Sequence, residues 1–185
     1  MPNETSNLVQ VLGEPYKIKE FIDSHMKPIP DSDGNFYWDF EVSVPIEDED
    51  YIKNKDSNNM VDKILNYRKE AWGTTRGLVR NQRDNQVYID TPWTSCEKWF
   101  ITMTPKYSHL DFVLKYNDEF CEDFYGWAVS SKGILIAKEI ICLHQHPQPE
   151  LASIDLYKYY NHKDNILDEI IVNNTDEIIV NSQDK

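Results

Sequence analysis

The side chains best suited to chemistry fall in one short segment. Every arginine of the chain, Arg68, Arg76, Arg80 and Arg83, lies within it, beside Lys69. A guanidinium is planar and offers a fork of donors, so arginine grips a carboxylate or phosphate where lysine acts as a point charge. The segment reads as a candidate anion-binding site, for a nucleotide, a phosphate or RNA. The structural alternative is internal pairing, in which the arginines meet the acidic run Glu47, Asp48, Glu49 and Asp50 and staple a long loop. A second acidic group, Asp118, Glu119, Glu122 and Asp123, follows later in the chain. The two acidic groups together are the candidate partner-binding residues, because a basic surface on another protein would complement them.

Two other kinds of chemistry find weaker support. Cys142, His144 and His146 alternate, which places three possible ligands on one face of an extended chain, and Glu150 could complete a tetrahedral set. No second Cys/His cluster accompanies them, and Pro147 and Pro149 suit the plain end of a strand, so no metal or other cofactor is expected. There is no glycine-rich phosphate loop, no Gly-X-Ser-X-Gly and no His-Glu-X-X-His. The expectation is a protein without enzymatic activity.

The elements that must position these residues follow from periodicity. Leu8 to Leu12 reads as a strand closed by Gly13. Pro15 opens a helix with Tyr16, Ile18, Phe21, Ile22 and Met26 on its apolar stripe, and Lys27-Pro-Ile-Pro30 ends it. Trp38, Phe40, Val42 and Val44 alternate with polar residues, as a half-buried strand would. A second helix over Met60 to Trp72 stops at Gly73. The best-patterned stretch is Gln86 to Lys138. It offers a strand at Gln86 to Asp90 and a short amphipathic run at Cys96 to Thr104. A second strand carries Leu110, Phe112, Leu114 and Tyr116 on one face, and two more follow at Tyr125 to Val129 and Ile134 to Ala137. The class is α+β.

Composition bounds the rest. The 185 residues suit one domain with an appendage, and 40% hydrophobic residues with 12% aromatics are ample for a core. A net charge of −13 sets a field that opposes nonspecific binding to nucleic acid or anionic lipid. Three cysteines, Cys96, Cys121 and Cys142, without paired spacing suit reduced thiols, and no apolar run is long enough for a signal peptide or a membrane span. A cytoplasmic location in the host cell and no membrane partner are therefore expected. The five tryptophans are expected mostly in the core. The competing idea, a stacking platform for RNA around Tyr125 and Trp127, is opposed by the acids at 118–123.

Several short motifs together are similar to the YubB ferredoxin-like family, also called Api92-like, common in phage and mobile-element genomes. They are Met1-Pro-Asn3 with Asn7 ahead of the first strand, Trp72-Gly-Thr74 and Thr91-Pro-Trp93. Tyr107 to Phe112, Tyr116 to Glu119 and Gly126 complete the set. The resemblance covers roughly residues 1–138. It implies a ferredoxin-like split-βαβ sheet layered with helices, and it carries over no catalytic residue.

Beyond that stretch lies an internal repeat. Asp168 to Asn173 recurs as Asp176 to Asn181, joined by turn formers, so the two copies suit a C-terminal β-hairpin. Residues 150–162 suit either helix or strand. The expected organisation is a ferredoxin-like domain over 1–146 and an extension over 147–185 that could join copies into a homo-oligomer. The expected function is an acidic, non-enzymatic binding protein of phage or mobile-element type that blocks a host nucleic-acid-handling defence protein, in the manner of an anti-CRISPR or anti-restriction factor. The alternatives are a nucleotide-, phosphate- or RNA-binding module using Arg68 to Arg83, and a structural accessory oligomer.

Overall fold

Strand β1, Glu4–Leu12, buries Thr5, Asn7, Val9 and Val11 on one face and turns Ser6 outward. Gly13 then turns the chain into helix α1, Pro15–His25. Pro15 occupies the first helical turn, where its missing N–H costs nothing. The computed structural model describes residues 3–30, 32, 34–57, 60–118 and 124–142. After α1 come β2, Met26–Pro28, and β3, Phe36–Trp38. A 3-10 turn, Phe40–Val42, leads to helices α2, Glu49–Asn54, and α3, Val61–Trp72. Gly73 ends α3 with φ 81°, and its N–H donates to the Lys69 carbonyl at 3.0 Å, a left-handed cap that glycine adopts without a Cβ penalty.

The remaining elements are β4, Gly77–Arg83, and β5, Gln86–Pro92, then helix α4, Glu97–Met103, which runs on as a 3-10 turn over Thr104–Tyr107. Strands β6, Asp111–Asp118, β7, Phe124–Ser131, and β8, Ile134–Cys142, follow. All eight strands form one sheet in the order β2-β3-β4-β5-β1-β6-β7-β8. β1 lies in its middle, antiparallel to β5 from Glu4↔Pro92 to Gln10↔Gln86 and to β6 from Thr5↔Asp118 to Leu12↔Asp111. The path β1-α1-β4-β5-α4-β6 with spatial order β4-β5-β1-β6 is the ferredoxin-like arrangement. β2 and β3 extend one edge of that four-stranded centre, and β7 and β8 extend the other.

The core sits between one sheet face and the helices. Val9, Val11, Val87, Ile89, Phe112 and Leu114 meet Phe21 and Ile22 of α1 and Trp99, Phe100 and Met103 of α4. Leu110, Phe112, Leu114 and Tyr116 are all buried, as their alternation predicts. Trp38, Trp72 and Trp99 are buried too. Trp127 is half-buried, and Trp93, at φ 70°, is 57% exposed. Two buried indoles are satisfied: Trp99 Nε1 donates to Ser43 Oγ and Trp72 Nε1 to the Val44 carbonyl, each at 2.8 Å.

Four local expectations are corrected. The strand expected through Trp38 to Val44 stops at Trp38, because the Asp39 carboxylate accepts from Glu41 N–H at 3.1 Å and folds the next residues into a 3-10 turn. Val42 is 40% exposed there. Lys27-Pro28 does more than end a helix, since Met26–Pro28 pairs with Phe36–Trp38. Tyr16 of the expected apolar stripe is 63% exposed. Residues 77–83, read as part of a long loop, form β4, paired to β3 and to β5 with a register shift between Val79 and Asn81. The core described here lies in the unit Met1–Ile141. The expected hairpin of the repeat and the segment 150–162 fall outside the described residues.

Candidate functional site

A concavity opens beside α3, β3 and β4, a groove of about 560 Å³. Its aromatic wall is Tyr37, Trp38, Phe40 and Trp72. Two of the four arginines, Arg68 and Arg76, reach it. Arg68 projects from α3 with its guanidinium carbon 5.8 Å from the Trp72 ring centre and 6.0 Å from that of Tyr51, and its Nε donates to the Tyr51 hydroxyl at 3.3 Å. Stacking of this kind holds a cation in place without neutralising it. Arg76, itself exposed between the buried Thr75 and β4, has no hydrogen bond or ion pair with any described residue.

The other two arginines serve elsewhere. Arg80 crosses the sheet to bond the Asp90 carboxylate through Nε and Glu4 at 3.1 Å through Nη2. Asp90 is nearly buried and also accepts from Ser6 Oγ at 3.0 Å. These bonds raise the pKa of Arg80 further, Asp90 first and Glu4 second, so its charge is permanent. Arg80 and Arg83 line a shallower hollow of about 380 Å³ with Tyr88 and Ser6. The structure therefore divides the arginine segment between two sites. Internal pairing does occur at Arg80, but with Glu4 and Asp90 and not with the run at 47–50.

That acidic run starts α2, and its members have separate duties. The Asp48 carboxylate accepts from Tyr51 N–H at 3.1 Å and caps the helix. Asp50 pairs with Lys63 at 2.7 Å, and that bond, ahead of any other influence, holds its carboxyl below the usual range. Glu47 and Glu49 are exposed and bond no described side chain. Asp118 ends β6, and Glu119, Glu122 and Asp123 lie outside the described residues. So do His144, His146 and Glu150, while Cys142 closes β8. Among the described residues, no three His, Cys, Asp or Glu side chains gather as a metal site would require.

Sequence reasoning missed the polar cluster beneath α4. Asn7 is 1% exposed, and its Nδ2 donates to the Ile89 carbonyl at 3.0 Å and to Thr91 Oγ1 at 2.9 Å. Its Oδ1 accepts from Cys96 N–H at 3.1 Å, which seats the first turn of α4. Burial pushes the Cys96 thiol up to about 12, so it remains an inert thiol. Nearby, the Tyr116 hydroxyl donates to Glu97 at 2.6 Å, and Lys138 reaches the same carboxylate at 2.9 Å. Burial, with Glu97 adding to it, raises the Tyr116 pKa well above the ordinary phenol value. Trp127 is committed as well, donating to Glu139 at 2.9 Å.

Residues 69–146 match the family model described as the ferredoxin-like domain in Api92-like protein. That stretch is similar to the Api92-like ferredoxin-like domain. The resemblance drawn from Trp72-Gly-Thr74, Thr91-Pro-Trp93 and Gly126 is borne out over that stretch. No curated protein and no solved structure matches the chain. The matched stretch includes Arg76, Arg80 and Arg83, while Arg68 and the acidic run at 47–50 precede it. Among the described residues, no helix is long and apolar enough to cross a membrane.

Proposed function

We propose that the protein is a non-enzymatic acidic binding module that docks on a basic surface of another protein. A nucleic-acid-handling host protein is the partner type that best suits the charge, since such proteins present basic grooves that a body of charge −13 complements. The observation that supports this reading is the division of labour at the start of α2. Asp48 and Asp50 are committed to the cap and to Lys63, whereas Glu47 and Glu49 stand exposed and uncommitted. Exposed charges without structural duty are free to steer an encounter.

The test is capture from a bacterial lysate with identification by mass spectrometry, followed by association kinetics with the purified partner. A Glu47→Gln, Glu49→Gln double variant keeps the cap and the ion pair, so it should fold normally and associate more slowly. Added salt should shrink the difference, because exposed charges are screened beyond about 10 Å at 0.1 M ionic strength. Equal association rates and equal salt slopes would remove the proposal. A second reading, binding of a nucleotide or phosphate, rests on Arg68 and Arg76 sharing one groove. Loss of nucleotide binding in an Arg68→Gln, Arg76→Gln variant would favour it.

A further inference from the structure

The charges around the groove balance in a way that selects among ligands. Glu41 is occupied by Lys55 at 3.1 Å, and Glu4 and Asp90 are occupied by Arg80. Four charged groups remain on the lining: the guanidinium groups of Arg68 and Arg76, and the carboxylates of Asp39 and Asp56. Arg68 has aromatic neighbours and a phenol but no carboxylate within ion-pair distance. Asp39 accepts one backbone N–H and has no cation partner among the described residues, and exposed Asp56 has neither among them. The groove thus holds two cations and two anions that no described residue compensates.

A polyanion would satisfy only half of this set. It would approach a body of charge −13 and come to lie beside two carboxylates. A purely basic ligand would meet the two guanidinium groups in the same way. A ligand that carries both signs a few ångströms apart meets both pairs. Tyr37, 39% exposed on the same lining, offers a ring face to the aliphatic stem of a long charged side chain. Burial, reinforced by Asp39 and Glu41, raises the Tyr37 pKa, so the phenol remains an O–H donor.

We infer that this groove binds a mixed-charge peptide segment of a partner protein, its carboxylate held by Arg68 and Arg76 and its neighbouring lysine or arginine held by Asp39 and Asp56. The volume of about 560 Å³ lies in the range of ligand clefts and suits a few side chains rather than a whole domain. This assignment rests on the partner-protein reading above, but it uses different residues from the steering pair Glu47 and Glu49.

The test is an NMR titration of the full-length protein, followed at the Trp72 indole N–H. The probes are four: a capped Lys-Gly-Glu peptide, its Lys-Gly-Gln and Gln-Gly-Glu analogues, and inorganic phosphate. The mixed-charge peptide should bind tightest, each exposed ion pair lowering Kd about threefold. Arg76→Gln should abolish the preference for glutamate and keep that for lysine, and Asp56→Asn should do the reverse. Glu47→Gln, Glu49→Gln should leave all four titrations unchanged, which separates failure here from failure of the steering proposal. Both groove variants replace exposed side chains, and each should keep the wild-type spectrum away from the groove. Phosphate binding as tight as the mixed peptide, equal affinity for the three peptides, or no titration of Trp72 by any of them would overturn the inference.

Discussion

His25 is buried among rings, and that burial makes stability depend on pH in a calculable way. Its imidazole stacks on Trp38 with centroids 4.9 Å apart and planes 16° from parallel, and it lies 4.3 Å from the Phe21 ring. Trp99 and Tyr107 close the cage at 5.9 and 6.1 Å. Nδ1 sits 2.8 Å from the Phe21 carbonyl, so it carries the proton and donates, and Nε2 is left as a bare acceptor with no partner. Protonation would aim a second N–H into the rings with nothing to receive it. Burial lowers the pKa from 6.5 to about 4, Lys27 adds to the lowering, and the Phe21 carbonyl opposes it.

The folded value is below the unfolded one, so the unfolded chain takes up the proton first as the pH falls. Stability is therefore full above pH 6.5, declines as pH falls toward 4, and levels off below. A displacement of that size corresponds to about 3 kcal/mol, a large part of the roughly 5–15 kcal/mol that holds a typical domain together. Urea denaturation from pH 7.5 to 4 measures it, with His25→Phe as the comparison. The variant keeps an aromatic ring, and the Phe21 carbonyl keeps the Ser24 hydroxyl as donor at 2.7 Å. Carboxylates titrate in both proteins, so the difference between the two curves isolates His25. It should change by about 3 kcal/mol across the window. Parallel curves would refute the argument, because the buried imidazole would then cost nothing to charge.

Phe112 is fully buried against the rings of Phe21, Phe100 and Tyr107, so Phe112→Ala should cost about 3–5 kcal/mol, read as a lower urea midpoint. An unchanged midpoint and m-value would place this face outside the core. A Cβ on Gly126 would overlap the Tyr116 hydroxyl oxygen and ring, so Gly126→Ala must displace the ring and disturb its bond to Glu97. A loss of about 1–3 kcal/mol, as for other overpacked sites, is expected, with recovery in a Tyr116→Leu background. Asn7→Leu should lower stability by about 1–3 kcal/mol, because three backbone groups, the Thr5 and Ile89 carbonyls and the Cys96 N–H, lose the amide they bond. Hydrogen exchange at the start of α4 should rise with it, and unchanged exchange there would show that Asn7 does not hold that turn.

The parts of this molecule that were legible in its sequence are those governed by near neighbours. Leu110, Phe112, Leu114 and Tyr116 announce a strand because a period of two needs only the chain's own pleat. Gly73 announces the end of α3 by the same local logic. β4 was not legible, since Arg80, Asn81, Gln82 and Arg83 are all exposed and show no apolar alternation; its strand character comes from pairing with β3 and β5. Asp39 broke an apparent strand through one hydrogen bond that competes with the ladder. At the candidate site, the arginine segment was visible, but its partition was not. Arg80 is claimed by Glu4, 76 residues away in sequence, and Arg68 by rings in two helices. The duty of Asn7 was equally hidden, because a lone asparagine in a strand pattern gives no sign that it will bond the first turn of a helix beginning at Glu97.

The central place of β1 also bears on how the chain is made. The strand leaves the ribosome well before either of its neighbours, with Asn7 bonding Ile89 across 82 residues and Thr5 pairing with Asp118. At ordinary elongation rates it waits on the order of 5–20 s before β6 has been synthesised. Until β5 is made both of its edges are open, and until β6 is made one edge stays open, with Leu8, Val9 and Val11 ready to pair with a neighbouring chain. Nascent chains stalled before residue 118 should accordingly be captured by chaperones or aggregate, and the transition should be sharp once β6 clears the exit tunnel.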